Sequence, residues 1–88
     1  MKRRELKKSI TYLCGELLSE CLATATYNKN VEQQDVENVI GNILMMQNEM
    51  LTRLSHVEPG STKLFFKKMK EDILSHSEEI LAQINSLV

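Results

Sequence analysis

The chain has 88 residues, of which 42% are hydrophobic and 26% charged, and its formal net charge is −1. This length suits one small domain, and the composition is ordinary for a globular protein. Three glycines and one proline are too few for the many turns of an all-β fold. No apolar run has the length of a signal peptide or a membrane-spanning helix, so we expect a cytoplasmic protein.

Two helices are predicted in the first part of the chain, because apolar residues recur there at intervals of three and four. The first covers residues 4–27 and the second residues 31–56. Asn30 is the predicted N-cap of the second helix, with Gln33 as its partner in a capping box. The apolar positions of these helices are Leu6, Ile10, Leu13, Cys14, Leu17, Leu18, Cys21, Leu22 and Ala25, then Val36, Val39, Ile40, Ile43, Leu44, Met46, Met50, Leu51 and Leu54.

A third helix is predicted over residues 62–87, after the turn signal at residues 58–61 and with Ser61 as its N-cap. Short loops make sequential helices antiparallel neighbours. The prediction is therefore an all-α, three-helix up-down-up antiparallel bundle that forms one domain over residues 1–88. The apolar positions of the third helix are Phe65, Phe66, Met69, Ile73, Leu74, Ile80, Leu81, Ile84 and Leu87.

The apolar faces of the three helices are wide for such a small bundle. Each spans roughly 160–180° of the helix circumference, which is more than two neighbouring helices cover. The surplus indicates burial against another protein, most simply a second copy, so we expect a dimer. The alternative is that the surplus leucines are exposed one by one, as apolar residues on protein surfaces commonly are.

Ten of the eleven basic residues fall at one end of the predicted bundle, where helices 1 and 3 begin and helix 2 ends. We call it the basic end. Ten cations and five carboxylates lie in that half, against seven carboxylates and Lys29 in the other half. The candidate binding residues of the basic end are Lys7, Lys8, Arg53, His56, Lys63, Lys67, Lys68 and Lys70.

The basic end has three interpretations. The first is a solvated surface, the usual fate of a run of charges. The second is a site for an anionic partner, such as an acidic protein, nucleic-acid phosphates or an anionic membrane surface. The third is docking on the acidic end of another copy.

Few residues suggest catalysis or metal binding. His56 and Glu58 form the densest cluster of reactive groups, but a His at a helix C-terminus beside a Pro-Gly turn is explained by structure alone. Cys14 and Cys21 lack the spacing of zinc ligands and lie on an apolar face, so we expect buried thiols. We therefore expect no enzyme, no metal site and no cofactor.

Two further expectations concern single residues. Gly15 and Gly41 are predicted to face each other and permit a close approach of helices 1 and 2; the alternative is that each glycine is merely tolerated. Met45 lies off the apolar face of helix 2 and is predicted to be exposed.

Two stretches of the sequence carry a resemblance. They are KKSITYLCGELLSEC, from Lys7 to Cys21, and SHVEPG, from Ser55 to Gly60. Together they resemble a group of small uncharacterised helical proteins from bacteria, and the resemblance extends over nearly the whole chain. It implies a small bacterial cytoplasmic protein, and it implies no activity or ligand.

The sequence thus favours a non-catalytic protein-interaction module, with apolar faces that form an interface and a basic end that docks an acidic surface. The less favoured alternative is a nucleic-acid-binding protein. Phosphate binding would weaken steeply as the salt concentration rises, whereas binding through an apolar interface would not. The residues that would contact phosphates are Lys7, Lys8, Lys63, Lys67, Lys68 and Lys70.

Overall fold

A computed structural model of the chain describes residues 3–28, 30–56 and 62–87. These residues form the helices α1 (Arg3–Tyr27), α2 (Gln33–Ser55) and α3 (Thr62–Asn85), with no strand among them. Each helix packs on the other two, which confirms the predicted three-helix bundle. The bundle is slender, with extents of 50 × 18 × 17 Å.

The helix boundaries differ from the predicted ones by at most two residues, at the start of α2 and at the end of α3. The predicted capping box is wrong, because Glu32 occupies the N-cap with extended backbone angles (φ −76°, ψ 136°) and makes no capping hydrogen bond through its side chain. Gln33 is therefore the first helical residue, and its side-chain amide donates to Glu37 at 3.2 Å. The predicted N-cap of α3, Ser61, lies outside the described residues.

The core consists of one face from each helix. The side chains of Ile43, Met50 and Met69 are fully buried at its centre. Cys14 and Cys21 are also buried, as predicted, and desolvation raises the pKa of both thiols. The other buried apolar residues are Leu6, Ile10, Leu17, Val36, Val39, Met46, Leu54, Ile80 and Ile84.

Contacts between α2 and α3 define their antiparallel register. Arg53 of α2 lies opposite Asp72 of α3, and Asn42 lies opposite Gln83. The two contacts are separated by the same number of residues on α2 as on α3, so one register holds along both helices. In this register, the first two turns of α3 extend beyond the end of α2, by roughly 10 Å at about 1.5 Å per residue. Lys63 and Lys67 lie on this extension.

Four leucines of the predicted apolar faces are exposed: Leu22, Leu44, Leu74 and Leu81. The physical reason is the width of the apolar faces, since two neighbouring helices cannot cover all of each face. Met45 is exposed, as predicted.

The predicted glycine contact between α1 and α2 is wrong. A Cβ atom added at Gly15 or at Gly41 would have no neighbouring atom within 4 Å. Neither glycine permits a close approach of helices, and each is simply tolerated inside its helix. None of the three described helices combines the length and the apolar character needed to cross a membrane.

Candidate interaction surface

An open groove of about 520 Å³ lies between α1 and α3. We call it the α1–α3 groove. Most of its lining is aliphatic, and its polar lining residues are two serines, one lysine and one glutamate. The lining residues are Leu6, Ser9, Ile10 and Leu13 of α1 and Lys70, Ile73, Leu74, Ser77, Glu78 and Leu81 of α3.

The groove arises from the apolar faces of two parallel helices. Leu6, Ile10 and Leu13 lie three or four residues apart and therefore share one face of α1. Leu74 and Leu81 lie two turns apart on α3, and their side chains are 63% and 42% exposed. No helix of the described bundle covers these two leucines, so the groove presents a continuous apolar surface to the solvent.

The hydroxyl groups in the groove are satisfied within their own helices. Ser77 is buried and donates to the carbonyl oxygen of Ile73 at 2.7 Å. Ser9 donates to the carbonyl oxygen of Glu5 at 3.0 Å. The groove therefore offers contact area but no free hydroxyl for binding a polar substrate, and its chemistry suits the apolar face of a helix.

Charged residues flank the exposed part of the groove in a regular way. Lys70 precedes Leu74 by four residues, and Glu78 follows it by four. At about 100° per residue, both lie within about 40° of Leu74 around the helix axis, as do Lys67 and Leu81. One narrow stripe of α3 thus runs from positive charge through exposed leucine to negative charge and a second leucine.

The candidate lysines of the basic end are exposed, but they do not form a single face. Lys7 lines a groove between α1 and α2, and Lys7 and Lys8 together lie beside Thr11 and Tyr12 on α1. Lys70 lies in the α1–α3 groove. The predicted lysines of α1 and α3 therefore surround the end of the bundle.

Arg53 is part of the predicted binding set, yet its guanidinium group makes contacts within the bundle. It lies 3.0 Å from the Asp72 carboxylate and donates to the sulfur of Met50 at 3.6 Å. Lys68 lies 3.4 Å from the same carboxylate. Desolvation of Asp72 acts to raise its pKa, but the hydrogen bonds and charges of Arg53 and Lys68 outweigh it and lower the pKa overall.

His56 occupies the C-cap of α2, where its backbone N–H donates to the carbonyl oxygen of Arg53 at 3.1 Å. Its side chain is exposed, and Glu58, the other member of the candidate reactive cluster, lies outside the described residues. Among those residues, no group of three or more His, Cys, Asp or Glu side chains is arranged to hold a metal ion.

Comparisons of the chain with protein-family models, with curated proteins and with solved structures found no match. Among the described surfaces, the α1–α3 groove combines exposed apolar area with charges in an ordered arrangement. The sequence did not locate this groove, because Leu74 and Leu81 fit the apolar pattern of α3 as well as its buried residues do. The excessive width of the apolar faces was the one signal that pointed to it.

Proposed function

We propose that the protein is a non-catalytic interaction module that docks an amphipathic helix of a protein partner in the α1–α3 groove. The exposure of Leu74 and Leu81 beside the half-buried Leu13 and Ile73 carries this proposal. Burial of apolar surface contributes roughly 25 cal/mol for each Å² removed from water, so covering the groove would stabilise a complex.

The docked helix would act as a fourth helix of the bundle. Helices that pack through side chains lie about 8–10 Å apart, and leucines two turns apart match the spacing of anchors in helix-in-groove recognition. The partner helix would place apolar residues against Leu74 and Leu81. Its charges would complement Lys70 at one end of the groove and Glu78 at the other.

The basic end would guide the approach of the partner rather than supply most of the affinity. Exposed charges of one sign raise the rate of encounter with an oppositely charged surface, and salt screens this effect. We propose an acidic protein surface as the target of these lysines. In keeping with the resemblance, we propose that the protein acts in the cytoplasm of a bacterium.

Site-specific photo-crosslinking in the cells that produce the protein tests the docking proposal. A photo-reactive phenylalanine derivative replaces Leu74 in one variant and Leu44 in a control variant. Leu44 is a suitable control because its side chain is 50% exposed on α2, which does not line the groove. Both positions are exposed, so neither replacement disturbs the core.

We expect a discrete adduct from position 74 and none from position 44, with the crosslinked chain identified by mass spectrometry of the adduct. Equal adducts from both positions, or no adduct from position 74, would show that the groove is not a docking surface. The identity of the crosslinked chain separates a second copy from a different protein.

A further inference from the structure

We infer that the exposed α3 side of the groove is covered by the same surface of a second copy, in a two-fold dimer whose α3 helices pack antiparallel about Leu74. This inference rests on the proposed docking function and names its partner. A two-fold interface requires a surface that is complementary to itself. The exposed side of α3 meets that requirement in its apolar centre and its charges.

The apolar centre of the proposed interface is Leu74. Leu74 lies at the middle of α3, which runs from Thr62 to Asn85. An axis through Leu74 therefore lets the two α3 helices overlap along their full length. Each Leu74 would contact Leu74 of the second copy, where both side chains are now largely exposed.

The charges define the direction of the second helix. Lys70 and Glu78 stand at equal distances on either side of Leu74. In an antiparallel pair, Lys70 of each copy lies opposite Glu78 of the other, so the dimer contains two equivalent ion pairs. In a parallel pair, Lys70 would face Lys70 and Glu78 would face Glu78, and both contacts would be repulsive.

The same axis brings Lys67 opposite Leu81 of the second copy. A lysine can lay its aliphatic stem across an apolar side chain while its ammonium group stays in water. Lys67 would therefore cover Leu81 without burying a charge. Each position of the stripe on one α3 helix therefore faces a favourable partner on the α3 helix of the second copy.

The charge asymmetry of the whole chain favours the same arrangement. Among the described residues, the half of the bundle where α1 and α3 begin carries nine cations and four carboxylates, and the other half carries seven carboxylates and no lysine or arginine. An antiparallel dimer places the basic half of each copy alongside the acidic half of the other. The concentration of lysines at one end then contributes to self-recognition and requires no third molecule.

Charge reversal measured by analytical ultracentrifugation tests the arrangement. The purified protein is compared with the variants K70E, E78K, K70E/E78K and the control E49K. Glu49 is exposed on α2, which does not line the groove, so E49K changes the net charge as E78K does without touching the proposed interface. Circular dichroism confirms that each variant remains helical.

We expect the wild-type protein to form dimers in a concentration-dependent manner. K70E and E78K should each raise the dimer dissociation constant by about tenfold, because two exposed pairs become repulsive. The double variant and E49K should each have a dissociation constant within about twofold of the wild-type value. An equimolar mixture of K70E and E78K should dimerise better than either variant alone, since every pair across the interface is again attractive.

A wild-type protein that stays monomeric at every concentration overturns the inference. The inference is also overturned if K70E leaves the dimer dissociation constant unchanged, or if the double variant fails to restore it. The docking function is judged separately by crosslinking at position 74. If the protein is monomeric and crosslinks to a different protein at position 74, the dimer is ruled out and the docking function is retained.

Discussion

Arg53 and Asp72 join the last turn of α2 to α3 through an ion pair of 3.0 Å. Their side chains are 29% and 26% exposed, so the pair is only partly screened by water. The sequence placed Arg53 among the residues free to bind a partner. In the folded chain, its charge instead helps to define the register of two helices.

The Asp72 carboxylate predicts a dependence of stability on pH. The Arg53 and Lys68 charges beside it hold its pKa in the folded protein below the ordinary aspartate value of 3.8. The ionised form is therefore stabilised by folding, and its contribution is present above that value and is lost as the pH falls through the lowered pKa. We expect D72N to lower the Tm at neutral pH, with a difference from wild type that shrinks as the pH falls below 3.8.

Thermal unfolding followed by circular dichroism at several pH values measures this effect. E71Q serves as the control because Glu71 is the neighbouring carboxyl group and is exposed. If D72N and E71Q gave the same Tm at every pH, the ion pair would have no role in stability.

Two adjacent residues of α2 should differ strongly in how much their replacement lowers the free energy of unfolding. Ile43 is fully buried, whereas half of the Leu44 side chain is exposed. Replacing Ile43 with Ala removes buried methyl groups and leaves a cavity, so we expect a loss of about 2–5 kcal/mol in the free energy of unfolding. The change Leu44→Ala should cost about 1 kcal/mol or less. Urea denaturation monitored by circular dichroism measures both, and similar losses would mean that the core is centred elsewhere.

The two helical glycines predict a gain in stability. A Cβ atom at Gly15 or Gly41 meets nothing within 4 Å, and neither residue has a positive φ. Replacement by Ala should therefore raise the free energy of unfolding by about 0.5–1 kcal/mol at each position. The gain should appear as a higher midpoint in urea with an unchanged slope. A lower midpoint would reveal a contact that requires glycine.

The spread of the lysines around the basic end predicts weak binding to nucleic acid. A strand that follows one face could reach only some of the lysines, so we expect little binding of labelled single- or double-stranded oligonucleotides at roughly 50 mM salt. Fluorescence anisotropy measures this. Tight binding at roughly 50 mM that collapses at roughly 200 mM salt, and weakens when Lys67 and Lys68 are both changed to Gln, would favour the nucleic-acid alternative instead.

Local sequence patterns predicted the helices well, because periodicity is a property of each segment alone. The second helix illustrates the limit. Its apolar positions from Val36 to Leu54 are buried or half-buried except for Leu44, yet its first residue is Gln33, because the capping box expected at Asn30 does not form. Competition between alternative caps involves small free energies that the local pattern does not reveal.

The groove and the ion pair were harder to predict, because both depend on how separate helices meet. Leu74 fits the apolar pattern of α3 as well as the buried Ile80 does, and only the packing of α1 and α2 on α3 decides which is covered. Arg53 resembles any other cation in the sequence until Asp72 is brought opposite to it. The direction of the charge asymmetry, in contrast, followed from the up-down-up topology alone.

The most direct test of the dimer uses methyl NMR spectra of the wild-type protein over a dilution series from millimolar to micromolar concentration. The methyl signals of Leu13, Ile73, Leu74 and Leu81 should shift together as the dimer dissociates, while those of Leu44 stay constant. Constant signals for the groove residues across the series, or shifts centred on Leu44, would contradict the proposal that two copies meet through the α1–α3 groove.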